Sequence, residues 1–402
     1  MKLPHRRQFL HLAAGAAALP LLSRIARAQA YPTRPVRLIV GWPPGGGADT
    51  VSRIVGQWLS ERLGQQVIIE NRPGASTNIS AQAVINSPPD GYTLLFYSAS
   101  TLINTIMFHN LPFDVRRDIA PVSGLVAYPM VLVAHPSVPA KTVAELIAHA
   151  KANPGKVTMA SFGTGSASHL AGELFNMMAG INLVHVPYRG GAPMVTDLIA
   201  GQVQVGFDVM VTSLPQIRTG ALRALGLAGN NRFDMLPDVP TIAETLPGYE
   251  ARTWAGIGAP KGTPPEIIAR LNRDINAGLA NPTIRARLGD LGTIPMIFTA
   301  TEFGAYVAAE SEKWAKLIQF AGIKPECRNA QVVLASTVVT GRNSSVLKVS
   351  VAPRRCQRLR STKVSIRSRS SACSRLVSTE RPHRNLIIPR ISRALMSANK
   401  HF

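Results

Sequence analysis

Three adjacent glycines, Gly45, Gly46 and Gly47, follow the run Leu38-Ile39-Val40-Gly41-Trp42-Pro43-Pro44 and precede Ala48-Asp49 and a stretch of helical spacing. A strand that breaks into a glycine turn and then opens a helix leaves several backbone N–H groups unpaired, aligned with the positive end of the helix dipole. Such a turn takes a carboxylate or a phosphate. A second loop of this kind stands at Ser161-Phe162-Gly163-Thr164-Gly165-Ser166-Ala167-Ser168. Two such loops in one chain predict a cleft that grips an anion from both sides. The plainer reading of the first loop is a tight strand-to-helix turn that holds nothing.

The first loop lacks the Gly-Lys-Ser/Thr ending of a triphosphate cradle, and Asp49 sits where a helix N-cap belongs. In the second loop Ser168 stands at the third glycine position of a dinucleotide fingerprint, and the Gly-x-Ser-x-Gly of a nucleophile elbow is missing. What remains is hydroxyls and backbone donors from Ser161, Gly163, Thr164, Gly165 and Ser166, suited to holding an oxyanion without reacting with it. His169 and Glu173 lie one helical turn apart, but no third ligand accompanies them, which leaves an ordinary helix-surface pair. His185, in an apolar strand, is read as a satisfied core histidine. Tyr188 is placed in a pocket wall, and Arg189 either attracts an acid or is simply solvated. Asp208 ends the strand Val203–Phe207, where α/β crevices form; it either receives a ligand ammonium or hydroxyl or caps the next helix. With no Ser-His-Asp order, no close carboxylate pair and no metal cluster, no catalytic residue, metal or cofactor is assigned. The visible chemistry is holding, not converting.

The elements that position these residues follow from periodicity. Short apolar runs at Leu38–Val40, Val67–Ile69, Thr93–Tyr97, Met130–Val133, Val157–Ala160, Val184–Val186 and Val203–Phe207 alternate with amphipathic stretches, the pattern of βαβ units around largely parallel sheets. Val51, Ile54, Val55, Trp58 and Leu59 share one helical face, with Gly64 as its stop. A helix is predicted from about Ser166 to Met178, and three more at about Pro265–Leu279, Pro282–Leu291 and Thr301–Phe320.

The chain has 402 residues and a formal charge of +22 that resembles a polyanion binder, but the charge is uneven. Residues 327–402 hold a net +15 and residues 1–30 another +5, which leaves +2 for residues 31–326. The globular part is therefore not a nucleic-acid binder by charge. Cys327, Cys356 and Cys373 all lie in the basic tail, so residues 31–326 have no disulfide and no thiol nucleophile. At the other end, Arg6-Arg7 before the short apolar run Leu10–Leu22 and the small residues Ala28-Gln29-Ala30 read as a cleaved export signal of twin-arginine type. The alternative is an ordinary secretory signal; the run falls short of the ~20 residues that span a bilayer. The Ser/Arg-rich tail with almost no acids is read as disordered or as out-of-frame sequence, against the alternative of a basic nucleic-acid-binding arm.

Taken together, Arg34–Val40, Pro44–Asp49, Glu70-Asn71-Arg72-Pro73-Gly74-Ala75, Pro89–Leu95, Ser168–Ala171, Val184–Tyr188, Leu236–Thr241 and Gly322–Glu326 resemble the substrate-binding proteins of the tripartite tricarboxylate transporter family, the Bug or TctC type. The resemblance implies a two-lobed, type II periplasmic-binding-protein-like α/β fold. Residues 31–128 and 227–326 would form lobe 1 and residues 129–226 lobe 2, each a mainly parallel sheet flanked by helices and closing on a ligand. It places the ligand carboxylate on Pro44, Gly45, Gly46, Gly47 and Asp49 of the first loop and on Ser161 to Ser166 of the second. Ser98 to Thr101, read as a lobe-crossing stretch that includes Ser100, and Asp208 are side-wall contacts. Two departures stand out: Gly41 replaces a usual proline, which is expected to loosen the loop entry, and Ser76-Thr77 replace a usual Gly-Gly, read as a local turn variation. The function implied is a periplasmic, monomeric receptor that delivers a small organic carboxylate to membrane permease components, without nucleic acid as partner. The rival is an exported enzyme acting on a small organic acid in the same cleft.

Overall fold

The computed structural model describes residues 31–108 and 110–320, together with strands at 335–341, 344–350 and 364–367. The N-terminal segment read as an export signal, the motif Gly322–Glu326 and the rest of the tail lie outside the described residues. Compact units comprise residues up to Pro325 and from Glu326 onward. In the second unit the described residues are three antiparallel strands, Ala335–Gly341, Ser344–Ser350 and Val364–Arg367, paired in that order.

The first unit carries two sheets. β1 (Val36–Val40) pairs in parallel with β2 (Val67–Asn71) and β3 (Thr93–Ser98), and the helices that follow them pack their apolar faces against this layer. The helix after β1, α1 (Gly47–Leu63), buries Val51, Ile54, Val55, Leu59 and Leu63 and stops at Gly64 in the left-handed conformation, as its spacing predicts. β4 (Ile119–Tyr128) and β10 (Thr253–Pro260) complete the sheet antiparallel to each other, and the order is Ile294–Pro295, β4, β10, β3, β1, β2. The second sheet takes β5 (Met130–Ala134), β6 (Thr158–Ser161), β7 (Val184–Pro187), β8 (Val205–Val209) and β9 (Arg223–Leu227), in the order β7-β6-β8-β5-β9.

Both sheets are therefore mixed rather than mainly parallel. The βα-type strands pair in parallel, while β4, β5, β9 and β10, which carry the chain between lobes, run antiparallel to their neighbours. The crossings are Pro129, between β4 and β5, and residues 228–252, between β9 and β10. Ser98 to Thr101 do not cross. They end β3 and begin the helix Ala99–Met107, inside lobe 1. The three helices after Pro260 fall at Pro265–Ala280, Pro282–Asp290 and Ala300–Phe320, within a residue or two of their predicted limits.

Candidate functional site

The two lobes meet over a cavity of about 60 Å³. Its lip is the first glycine loop. Gly46, extended at φ −85°, is the N-cap of α1, and Gly46, Gly47 and Ala48 line the space with the first turn of that helix. Asp49 is not the cap. It lies inside α1, 4% exposed, and its carboxylate reaches back to accept from the Gly45 N–H at 3.0 Å. Asn71 Nδ2 donates to both Asp49 Oδ1 and the Trp42 carbonyl at 3.0 Å, and Arg53 pairs with Asp49 at 3.0 Å. Burial works against the Asp49 charge, but Arg53, the Gly45 N–H and Asn71 outweigh it and hold the carboxyl below its ordinary range. Asp49 and Gly45 thus form a brace behind the loop, and Pro44 its outer turn, while the open donors are those of the next residues along.

The second loop is docked, not open. Ser166 caps the helix Ala167–Ala179 by accepting from the His169 N–H. Ser161 Oγ accepts from the Gly163 N–H, and the Gly165 N–H donates to His169 Nδ1. The Ala167 N–H donates to Ser100 Oγ and the Thr164 carbonyl accepts from Ser76 Oγ at 2.6 Å, both partners belonging to lobe 1. Of the predicted second-loop residues Ser161, Gly163, Thr164, Gly165 and Ser166, none lines the cavity; Phe162 does. The loop closes the lobes by offering its groups to lobe 1.

The remaining walls come from the crossings and from β8. Ser98 and Ser100 line the cavity, and so do Tyr128, Thr253 and Trp254, at the ends of β4 and β10, which the sequence did not single out. Tyr128 is 6% exposed, and its hydroxyl has no partner. Tyr188 stands outside, where it donates to Asp197 at 2.8 Å. Asp208 is fully buried one layer behind Gly191 and Thr212, which line the space; its Oδ2 accepts from Thr212 at 2.7 Å and from Ser213 at 2.5 Å. Its Oδ1 has no partner and lies 3.7 Å from where a Cβ on Gly191 would stand. Burial pushes the Asp208 carboxyl up to about 6, against the opposing bonds from Ser213, Thr212 and the Val209 N–H.

His169 is not a surface residue. It is 7% exposed and stacked on His185, with ring centroids 4.1 Å apart. Burial and the neighbouring His185 push its ring down to about 3, so it stays neutral and accepts from Gly165. Glu173 lies 3.8 Å from its Nε2, and because the ring is neutral the contact is not an ion pair; burial also raises the Glu173 carboxyl. His185 Nε2 meets Ser161 Oγ at 2.6 Å, a pairing seen in nucleophilic catalysis. Here Ser161 is fully buried and already accepts the Gly163 N–H, so the pair braces the loop. Among the described residues no cluster of three or more metal-ligating side chains occurs, and no helix is long and apolar enough to cross a membrane.

Because the folded ring at His169 titrates below its ordinary 6.5, the stability its neutral form contributes is present above that value and is lost as pH falls toward about 3. Relative to His169→Gln, the unmodified chain is expected to lose about 2 kcal/mol between pH 6.5 and 5, at ~1.4 kcal/mol per unit. Denaturant unfolding at the two pH values checks this; parallel changes in the two proteins would refute it.

The receptor model of the tripartite tricarboxylate transporter family matches residues 51–323. The chain belongs to this family. BugT of Bordetella pertussis is 38% identical over 300 residues, covering 74% of this chain and 92% of that protein. An R. palustris protein solved with adipate is 36% identical, with a TM-score of 0.72 over 73% of this chain and 99% of its own. MatC from Rhodopseudomonas palustris, solved with bound malate, is 31% identical, with a TM-score of 0.69 over 72% of this chain and all of its own. These receptors are two-lobed periplasmic binding proteins, the architecture seen here.

A Cβ on Gly41 would stand 2.5 Å from Ser80 Oγ and 2.7 Å from the Thr77 Cβ, so Gly41 packs tightly against the turn that holds Thr77. Ala75, Ser76 and Thr77 all hold positive φ, at 45°, 50° and 79°, where glycine is at ease and these residues are strained by on the order of 1 kcal/mol each. Within this turn Ser76 bridges the lobes through the Thr164 carbonyl, and its own carbonyl accepts a short bond from Asn104.

Proposed function

We propose that this receptor captures a small organic carboxylate in the cavity between its lobes and hands it to the permease components of the transporter. The observation that carries the reading is the first turn of α1, whose Gly46, Gly47 and Ala48 line a mostly apolar space between the lobes. N–H groups there hold a carboxylate by charge-assisted bonds strengthened by the low dielectric. Adipate and malate, bound by the two solved relatives, are acids of that kind. Closure follows from differential affinity: a ligand touching both lobes stabilises only the closed state. The twin arginines at Arg6-Arg7 support export to the periplasm by the twin-arginine route; the receptor acts there as one chain per ligand, without turnover.

A thermal-shift screen of organic acids tests the reading, because a ligand stabilises only the state it binds. A melting temperature unmoved by every acid at millimolar concentration would sink it. Incubation of the best acid with the protein, followed by mass analysis, is expected to return the acid unchanged; a new product would favour the rival enzyme. Ser76→Ala removes one interlobe bond of the closed state, and calorimetry is expected to show affinity about fivefold weaker, matching ~1 kcal/mol for a neutral bond. An affinity unchanged within error would show that the bridge is already open in solution.

A further inference from the structure

Two buried polar atoms at the cavity have no partner, the hydroxyl of Tyr128 and Oδ1 of Asp208. Buried groups of this kind are nearly always satisfied, and each left unpaired costs about 1–3 kcal/mol. Tyr128 lines the space directly, and its phenol, raised above its ordinary value by burial, is a neutral donor. Asp208 stands one layer behind Gly191, its buried Oδ1 3.7 Å from where a Cβ on that glycine would stand, so only a glycine separates it from the cavity. Among the described residues lining the cavity there is no lysine or arginine.

These facts sort ligand chemistries. A second carboxylate accepts from Tyr128 but brings a second negative charge beside a buried acid with no cation to offset it. An ammonium serves Asp208 but leaves the Tyr128 hydroxyl without an acceptor. A hydroxyl both accepts and donates, so it serves either atom.

We infer that the cleft selects a hydroxymonocarboxylate, with its carboxylate on the first turn of α1 and its hydroxyl toward Tyr128 and Asp208. This rests on the carboxylate-receptor reading and narrows it. The orphaned atoms mark the specificity-determining end of the site, because they distinguish acids that the N–H groups of α1 hold equally well.

Calorimetry on the full chain tests it with carbon-matched probes: lactate against propionate, alanine and malonate, and 3-hydroxybutyrate (both enantiomers) against butyrate, 3-aminobutyrate and succinate. The better hydroxy acid is expected to bind at least about tenfold tighter than each of its matched partners, in line with one buried group left unpaired. Tyr128→Phe and Asp208→Asn, each checked for a cooperative melt, are expected to narrow that ratio to below about threefold. The inference is overturned if a diacid or an amino acid binds as tightly as its hydroxy counterpart, or if the ratio survives in both variants. If acids bind but in that wrong order, only the inference fails; if none of the probes or longer acids binds, the receptor reading fails with it.

Discussion

Gly46→Asp is expected to abolish binding of every organic acid, with affinity reduced more than about 100-fold, while the protein melts at or above its original temperature. The two halves of that expectation have separate causes. Gly46 holds an ordinary extended φ of −85°, and a Cβ there would stand 3.7 Å from the Pro43 carbonyl oxygen and 4.0 Å from the Ala192 nitrogen, both normal contacts. As an N-cap, aspartate improves on glycine by a few tenths of a kcal/mol, because its carboxylate accepts from the orphan N–H groups of the first turn. Those are the groups that would hold the ligand. The new side chain therefore takes their bonds and leaves a fixed negative charge where a second anion would enter, a repulsion not relieved by any cation lining the cavity among the described residues. Gly163 offers no equivalent test. It sits at φ +131°, and a Cβ there would meet the Tyr188 carbonyl oxygen at 2.9 Å, so a lost affinity would report only a displaced loop. Titration of Gly46→Asp with an acid that binds the unmodified chain decides the matter; retained affinity would remove α1 from the site.

What the sequence made legible, and what it hid, follows from where glycine falls. The βα strands and the helices after Pro260 announce themselves because their apolar spacing is uninterrupted and their stops are ordinary Gly and Pro signals. β10, Thr-Trp-Ala-Gly-Ile-Gly-Ala-Pro, does not, since glycine and proline inside a run argue against a strand. In the fold those glycines are what the strand requires: a Cβ on Gly256 would collide with the Ser123 carbonyl oxygen at 2.5 Å and with the Phe303 ring. β4 was hidden in the same way by Pro121 and Gly124. Because β4 and β10 went unread, so did Tyr128, Thr253 and Trp254 at their cleft ends, and with them the floor of the cavity. The second loop illustrates the opposite error. Its glycines and hydroxyls carry the composition of an anion nest, but composition does not say whether donors are free, and here His169, Ser161 and Ser100 consume them. An unpaired atom is visible only in three dimensions. The signal that survived in sequence was position: Ser98, at the end of β3, and Asp208, one residue before the end of β8, both sit where strands deliver residues to a crevice.

Asp208→Asn is expected to stabilise the unliganded protein at neutral pH by on the order of 3 kcal/mol, and not at pH 4. The direction follows from linkage. The folded-state carboxyl titrates at about 6, raised from 3.8 by burial, so the folded chain holds a proton that the unfolded chain has released through the interval between. Stability is therefore full below pH 4 and falls as pH rises through 6, by ~1.4 kcal/mol for each unit of the difference. Asparagine keeps the shape and an acceptor for Thr212 and Ser213 but has no charge to bury. For a chain of this size the gain corresponds to roughly 5 °C in melting temperature at pH 7. Groups that titrate alike in both proteins cancel in the comparison, which makes the difference curve the measurement of choice; a difference flat from pH 4 to 7 would show that Asp208 is solvated or paired in solution. A residue that lowers the stability of the empty protein at working pH is kept only where something else makes use of it. Its unpartnered oxygen stands beside Gly191 at the cavity edge, so the instability of the empty cleft and the selectivity of the filled one would share a single atom.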